Sequence, residues 1–167
     1  MKKVLMLLVC ALSVGLFHSC SEDLGESGIE IPEFNLKDLT PTDLYIYKNY
    51  TKPYNVEVIY RWKDSETDVA KNLVPPEEEK VEPFLEILKT VWVDPYVEEA
   101  GSNFLKGLIP KQILLIGSAS YNPDETVTQG TAEGGRKMVL YEINSFSPQN
   151  VTKLKRFIHV MLSLIHI

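Results

Sequence analysis

Few residues of this chain are able to bind a metal ion or act as a nucleophile, and they are widely separated. The sequence has three histidines and two cysteines. His18 lies at the end of an apolar N-terminal stretch and His166 is the penultimate residue, so His159 alone stands in the body of the chain. A usual zinc site needs three or four Cys, His or carboxylate ligands, and one histidine without a cysteine does not build it. The residues present therefore predict no catalytic and no metal-binding site.

The other motifs specify little chemistry. The sequence has no G-x-G-x-x-G, no P-loop, no G-x-S-x-G and no C-x-x-C. Asp124 and Glu125 lie in a turn-rich stretch without the ligand spacing of a calcium site. His159 falls off the apolar face of its predicted helix, which favours a solvated residue; lining a cleft is the alternative. The stretch GTAEGG, residues 130–135, predicts a tight connection into a strand.

The N-terminus has the layout of an export signal. A charged MKK precedes an apolar run of about 14 residues, too short to span a bilayer comfortably. The following LFHSC is similar to a lipobox, with Ser19 before the cysteine. We expect residues 1–19 to be a lipoprotein signal peptide and Cys20 to be the lipid attachment site. The alternative is ordinary cleavage that leaves Cys20 as a free thiol, which would have no disulfide partner once Cys10 leaves with the signal.

The charge of the chain is acidic. The formal net charge is −6, and removal of Lys2 and Lys3 with the signal makes it −8. An acidic domain repels phosphate backbones, so we expect no nucleic-acid partner. Residues 20–41 are polar and turn-rich, which predicts a tether. Because SEDLGESG resembles the acidic tethers of surface lipoproteins, we expect an exported protein anchored at the outer membrane. Exposure at the cell surface and an orientation towards the periplasm are both open alternatives.

Patterns of strand and helix alternate over residues 42–161, which predicts an α+β domain. Alternating apolar residues predict a strand over residues 55–62. Apolar residues at helical spacing predict an amphipathic helix over residues 76–93, with a shorter helix after it that ends before Gly101.

The second half of this domain begins with a continuous apolar run, residues 113–116, which predicts a central, buried strand. Turn-forming residues at 122–135 predict a loop, and residues 137–144 predict a third strand. Ser147 and Pro148 are suited to the N-cap and first turn of a last helix that continues to Met161.

The chain stops within an apolar run that has no terminating residue. Its last six residues, LSLIHI, match the translation, in one frame, of a transposon-end adaptor used in sequencing libraries. We expect residues 162–167 to be encoded by that adaptor and native sequence to end at or just before Met161. The alternative is a genuine apolar end of the helix.

The order of these elements resembles one family. A YRW strand is followed by paired helices with VWVDPY, then by ILLIGSASYN, GTAEGGRKMVLYEIN and a helix that contains KRFIHVM. This arrangement, over residues 40–161, resembles the zinc-binding metallopeptidase lipoproteins of Bacteroidetes, also described as substrate-import-associated zinc metallohydrolases. The resemblance implies the N-terminal part of a zincin-like domain: a mixed sheet, helices and the start of the active-site helix.

In that family the last helix continues into His-Glu-x-x-His, which binds zinc and supplies a general base. The motif is not present here, so the resemblance implies zinc in the intact protein and assigns no catalytic or metal-binding residue to this sequence. His166 falls near the second metal-binding histidine by register, but as an adaptor-encoded residue it receives no role.

Two functions follow from the resemblance and the residues. The first is a truncated zinc metallopeptidase lipoprotein that cleaves peptides or a related polymer beside an outer-membrane nutrient importer. The alternative is a non-catalytic surface lipoprotein that acts as a binding component of such an importer. By analogy with zincin-like folds, in which a sheet edge binds extended substrate, Met138 and Leu140 mark the candidate substrate-binding edge strand.

Overall fold

The computed structural model describes residues 35–68 and 70–165 of the chain. The predicted signal peptide, Cys20, most of the predicted tether and His166 lie outside the described residues. Helices and a mixed sheet make up the described part, so the predicted α+β class is confirmed. Within the described ranges, no helix is long and apolar enough to cross a membrane.

Six α-helices are described, and two of them continue into π-helical turns at Tyr47–Thr51 and Lys89–Val93. The first begins where Thr40 Oγ1 accepts a hydrogen bond from Asp43 N–H at 3.2 Å, a usual N-cap. Gly101, at φ +82°, ends the fourth helix as predicted. The helices are α1 (Pro41–Ile46), α2 (Lys52–Tyr54), α3 (Glu78–Leu88), α4 (Asp94–Ala100), α5 (Ser102–Leu108) and α6 (Val151–Ile165).

The helix predicted over residues 76–93 is confirmed as α3 and its π-helical turn. The prediction for the last helix is wrong in its first residue. Ser147 is not the N-cap, because its hydroxyl bonds Gln149 Oε1 at 3.0 Å. Asn150 takes that position and accepts from Lys153 N–H at 3.1 Å.

Among the described residues, the main sheet has four strands in the order β1, β2, β6, β5. The first three run parallel, and β5 is antiparallel to β6. The prediction of a central, buried strand is confirmed, since β2 pairs on both sides. A separate two-stranded pair contains β3 and β4. The strands are β1 (Glu57–Ile59), β2 (Gln112–Leu115), β3 (Ser120–Tyr121), β4 (Val127–Thr128), β5 (Gly130–Glu133) and β6 (Lys137–Leu140).

The predicted edge position of Met138 and Leu140 is wrong. Their strand, β6, pairs with β2 on one side and with β5 on the other. Met138 is 1% exposed and Leu140 is fully buried, so both side chains lie in the core. The misplacement has a physical cause: residues 130–133 form a further strand that covers the side of β6 left open by the prediction.

The predicted loop over residues 122–135 is also wrong in part, because it contains β4 and β5. The stretch is too polar to predict a strand, and its pairing with β6 supplies the backbone hydrogen bonds that stabilise it. The tight connection was predicted correctly. Gly134 and Gly135 have φ of +57° and +67°, which glycine adopts without strain, and they join β5 to β6.

The two faces of the sheet are covered differently. One face lies in the main core, together with apolar residues of α3, α6 and the π-helical turn at Lys89–Val93. The other face packs against Trp62 and Leu73, which belong to the segment between β1 and α3. The residues of the first face are Ile113, Leu115, Met138 and Leu140, and those of the second are Leu114, Ile116, Val139 and Tyr141.

Candidate functional site

Helix α6 is held against the core by aromatic side chains. Phe157, at 2% exposure, contacts Phe84 of α3 and Phe146 in edge-to-face geometry, with ring centroids 5.8 and 5.7 Å apart. Phe84 and Phe146 contact each other at 5.2 Å. Such pairs stabilise beyond the area they bury. This cluster holds α6 against α3 and the segment that carries Phe146.

A glycine lets α6 approach β5 closely. A Cβ atom on Gly130, the first residue of β5, would lie 2.7 Å from Leu164 Cδ1 and 3.0 Å from Val160 Cγ1. Real Cβ contacts are longer, so a larger residue here would require the side chains of Leu164 and Val160 to shift. Side chains of α6 therefore pack closely on the backbone of β5 at Gly130.

A groove runs along this contact. Its volume is about 400 Å³, and it lies between the segment that carries β4 and the start of β5 on one side and α6 on the other. His159 is exposed on α6, and Ser163, one turn later, lines the groove on the same face. The lining residues are Val127, Thr128, Gln129, Gly130, His159, Val160, Ser163 and Leu164.

The sequence leaves two interpretations of His159, a solvated residue and a residue that lines a cleft, and its position in the structure bears on both. The side chain is exposed, as expected for a solvated residue, and it also lines the groove, which was the alternative interpretation. No local sequence pattern marks residues 127–130 as part of a groove. The pair Gly134 and Gly135 was the available signal, because it is typical of a hairpin whose first strand precedes it.

The described residues do not fit a zinc ion. Within residues 35–68 and 70–165, no three His, Cys, Asp or Glu side chains come together as metal ligands. His159 therefore lies in the groove without two further ligands from the described chain, whereas a zinc site takes three or four. Glu125 and Asp124, considered for calcium, stand in the turn between β3 and β4, where Asp124 Oδ1 accepts from the Thr126 hydroxyl at 2.7 Å.

Comparison with protein families identifies the family of this chain. The family described as "Putative zinc-binding metallo-peptidase" matches residues 36–167. The chain belongs to this family. The suspected relationship to zinc-binding metallopeptidases is thereby confirmed, whereas lipid attachment and a role in import stay predictions. No curated protein matches the chain.

A solved structure supports the same assignment. The chain is similar to the crystal structure of a "putative zinc-binding metallo-peptidase" from Bacteroides caccae, with 34% sequence identity and a TM-score of 0.52. The match covers 72% of this chain and 49% of that one. The matched part thus spans about half the length of the Bacteroides caccae protein.

Proposed function

We propose that the whole protein is a zinc-dependent peptidase of the bacterial cell envelope, and that this chain forms the N-terminal part of its catalytic domain. The observation that carries the proposal is the family match over residues 36–167. The groove between α6 and β5 is the proposed peptide-binding site, because it brings a sheet edge and an exposed helix face together.

The sheet edge of this site is β5 and not β6. Strand β5 is the last strand of the main sheet among the described residues, and β6 pairs on one side of it. An edge strand offers its free N–H and C=O groups to an extended peptide, which adds a strand to the sheet. Only its backbone is needed for this binding, so the sequence of Gly130–Glu133 does not have to supply reactive side chains.

The metal-binding residues of the whole protein are proposed to lie on the groove face of α6. His159 and Ser163 show which face this is, since residues four apart on a helix point the same way. A His-Glu-x-x-His motif after Met161 would place two zinc ligands at i and i+4 on this face. Zinc held by such a motif would supply an activated water for peptide hydrolysis. The described residues by themselves complete no such site.

The protein is further proposed to be anchored at the outer membrane through an acylated Cys20, beside a nutrient importer. The charged start, the apolar run and LFHSC support this. Labelling of the expressing cells with a fatty-acid analogue checks the anchor: the parent chain is expected to take up label and Cys20→Ser to take up none. Equal label in both proteins, or none in either, would contradict lipidation of Cys20.

The test of the activity starts from the source locus. The reading frame is sequenced through the codon for Met161, and the complete encoded protein is produced beside the 167-residue chain. We expect His-Glu-x-x-His in the complete protein, bound zinc by elemental analysis and cleavage of peptides that a chelator abolishes. The 167-residue chain serves as the matched control and is expected to show neither.

The alternative function is a non-catalytic binding component of an importer. It is favoured if the complete protein contains no His-Glu-x-x-His, binds no zinc and leaves peptides intact while still retaining them on a column. Zinc-dependent cleavage by the complete protein would exclude it.

A further inference from the structure

The charges of helix α6 have one sign. Its 15 residues include Lys153, Lys155 and Arg156 and contain no Asp or Glu, although the whole chain has 23 acidic and 17 basic side chains. The N-terminal end of a helix carries a partial positive charge, so cations in its first turns are unfavourable. Sequences that break such a local rule usually do so at functional sites.

Two of these cations have no partner of opposite charge in the described chain. The Lys153 ammonium group donates to the Ser145 carbonyl at 3.4 Å. Lys155 and Arg156 are exposed, and neither forms an ion pair with any of the residues 35–68 and 70–165. Both are therefore available to an anion from outside the described chain.

The two cations extend the groove face of α6. At about 100° per residue around the helix axis, Arg156 lies between Val160 and Ser163, which both line the groove. It precedes Val160 by four residues, which is about 6 Å along the axis. Lys155 precedes His159 by four residues and points the same way as this groove residue. The groove between α6 and β5 thus continues into a basic stretch of the helix.

The groove itself supplies no anion for these cations. None of its lining residues is acidic. Gln129, which lines it, donates to Glu142 Oε2 at 2.9 Å, so this neighbouring carboxylate accepts a hydrogen bond from an amide. Glu133, at the end of β5, lies 3.9 Å from the Lys137 ammonium group.

We propose that the groove binds acidic peptides, with the carboxylate of a glutamate or aspartate side chain held by Arg156 and with Lys155 beside it. This inference rests on the proposed peptide-binding role of the groove and adds the class of peptide. A peptide that joins the edge of β5 presents alternate side chains to the helix side of the sheet. The planar guanidinium group of an arginine binds a carboxylate through two parallel hydrogen bonds.

The surroundings favour a peptide over other polyanions. The sheet edge at Gly130–Glu133 binds an extended peptide backbone and has no corresponding use for a phosphate chain. The net charge of −6 repels a long polyanion, whereas one acidic side chain meets Arg156 and Lys155 locally.

The test compares two blocked alanine hexapeptides, one with a single glutamate and the other with glutamine in its place. Both are titrated into the ¹⁵N-labelled 167-residue chain, and the signals of β5 and α6 are followed by NMR. We expect both peptides to shift signals of β5. The glutamate peptide should bind about fivefold more tightly at low salt, the upper range for an exposed ion pair. In about 1 M salt this ratio should approach one, because charges are screened within about 3 Å.

Three variants identify the residue that makes the difference. Arg156→Gln removes the charge, and we expect it to bind both peptides equally. Arg156→Lys keeps the charge without the planar fork and is expected to retain part of the ratio. The matched control is Lys48→Gln, which removes an exposed positive charge from the π-helical turn before β1, at the other end of the described strand order. Its ratio should equal that of the parent chain.

Several results would overturn the proposal. These are equal binding of the two peptides by the parent chain, binding of neither peptide, and a ratio that survives Arg156→Gln. Inorganic phosphate at the same concentration tests for a general anion site. If phosphate shifts the side-chain signal of Arg156 as strongly as the glutamate peptide does, the selectivity for acidic peptides is wrong.

Cleavage by the complete protein separates this inference from the proposed function. Equal kcat/KM for the two peptides would leave the peptidase function standing and overturn the preference for acidic peptides. Absence of cleavage, together with tighter binding of the glutamate peptide by the 167-residue chain, would remove the peptidase function and leave a groove that binds acidic peptides.

Discussion

The two faces of the main sheet differ in what covers them. The first face packs against helices, and its contacts are apolar, with the aromatic rings of Phe84, Phe146 and Phe157 beside them. The second face is covered by the segment between β1 and α3, which has a single 3-10 turn, Asp64–Glu66, as regular structure among its described residues. Specific hydrogen bonds hold this segment: Trp62 to the Leu115 carbonyl at 3.0 Å and Lys71 Nζ to Ser120 Oγ at 2.7 Å.

This difference shows two ways to cover a sheet. A helix covers a face with apolar area and needs few directional contacts, because its own backbone is already hydrogen-bonded. An irregular segment has to bond its backbone and polar groups to the structure it covers. The proposed peptide groove lies on the helix side, where α6 approaches β5. A second cavity on this side, here called the Trp92 cavity, is lined by residues that include Trp92, Phe104 and Leu164.

The largest expected effect on stability concerns the face of the sheet that the helices cover. Phe157→Ala removes the ring that fastens α6 to Phe84 and Phe146, and we expect it to lower the free energy of unfolding by about 3–5 kcal/mol. Urea unfolding of the full chain measures this. The matched control is His159→Ala on the same helix, where an exposed side chain is removed and the expected change is within about 0.5 kcal/mol. Similar losses in the two variants would mean that the aromatic cluster does not hold α6.

The next largest effect on stability is expected where the segment between β1 and α3 passes the end of β2. A Cβ atom on Gly117 would collide with the Pro75 carbonyl oxygen and lie 2.6 Å from Asn144 Nδ2. Because Asn144 Oδ1 also accepts from Glu77 N–H at 2.8 Å, the start of α3 would be displaced. We expect Gly117→Ala to destabilise by about 2–3 kcal/mol in thermal or urea unfolding.

A second glycine provides the control for that variant. Gly107 lies in α5, and a Cβ atom there meets nothing within 4 Å. Gly107→Ala is expected to stabilise by about 0.5–1 kcal/mol, because alanine loses less backbone freedom in a helix. If both alanine variants changed stability in the same direction, crowding at Gly117 would not be the cause.

The third expected loss of stability is smaller than that of Gly117→Ala and depends on pH. Tyr60 donates to Asp43 Oδ1 at 2.7 Å, which ties the end of β1 to α1. Burial and this hydrogen bond raise the pKa of Tyr60 to about 12. Burial raises the pKa of Asp43, but hydrogen bonds from Tyr60 and Thr40 and the Arg61 charge outweigh it and leave that pKa lowered. We expect Tyr60→Phe to destabilise by about 1.5 kcal/mol at pH 8.

The sign of the pH dependence follows from the raised pKa. The unfolded chain has a tyrosine pKa near 10, so the contribution of Tyr60 is complete below pH 10 and is lost between pH 10 and 12. The difference in stability between parent and Tyr60→Phe should therefore shrink over that window. Partly buried Tyr45 and buried Tyr50 and Tyr141 also have raised pKa values, because burial disfavours their ionised forms. They ionise in both proteins, so the comparison cancels them. A constant difference from pH 8 to 12 would contradict the assignment to Tyr60.

Local sequence patterns were sufficient to predict an element where its own apolar residues are the ones that become buried. The helical spacing of Val81, Phe84, Leu85 and Leu88 predicted α3, and all four side chains are buried. The run at residues 113–116 predicted the central strand, and it pairs on both sides. Such patterns fail for β5, because Gly130–Glu133 is half polar and becomes a strand through its pairing with β6.

The candidate sites were less predictable than the elements. The groove joins residues 127–130 to His159 and Ser163, and the Trp92 cavity joins α4 and α5 to the β5–β6 turn and Leu164. Each joins residues that are far apart in the chain, so no local spacing contains them. The edge assignment of Met138 and Leu140 failed for the same reason, since strand order in a sheet is not a property of one strand.

The sequence by itself determined the acidic charge, the helix α3, the central strand β2 and the family, because these depend on composition, periodicity and the order of short motifs. The tertiary structure decided which strand is the edge, which face of α6 meets the groove and which tryptophan N–H has an acceptor among the described residues. Those features depend on contacts between distant segments. Trp62 and Trp92 show this, because the indole N–H of Trp62 donates to the Leu115 carbonyl, whereas that of Trp92 is buried without an acceptor in residues 35–68 and 70–165.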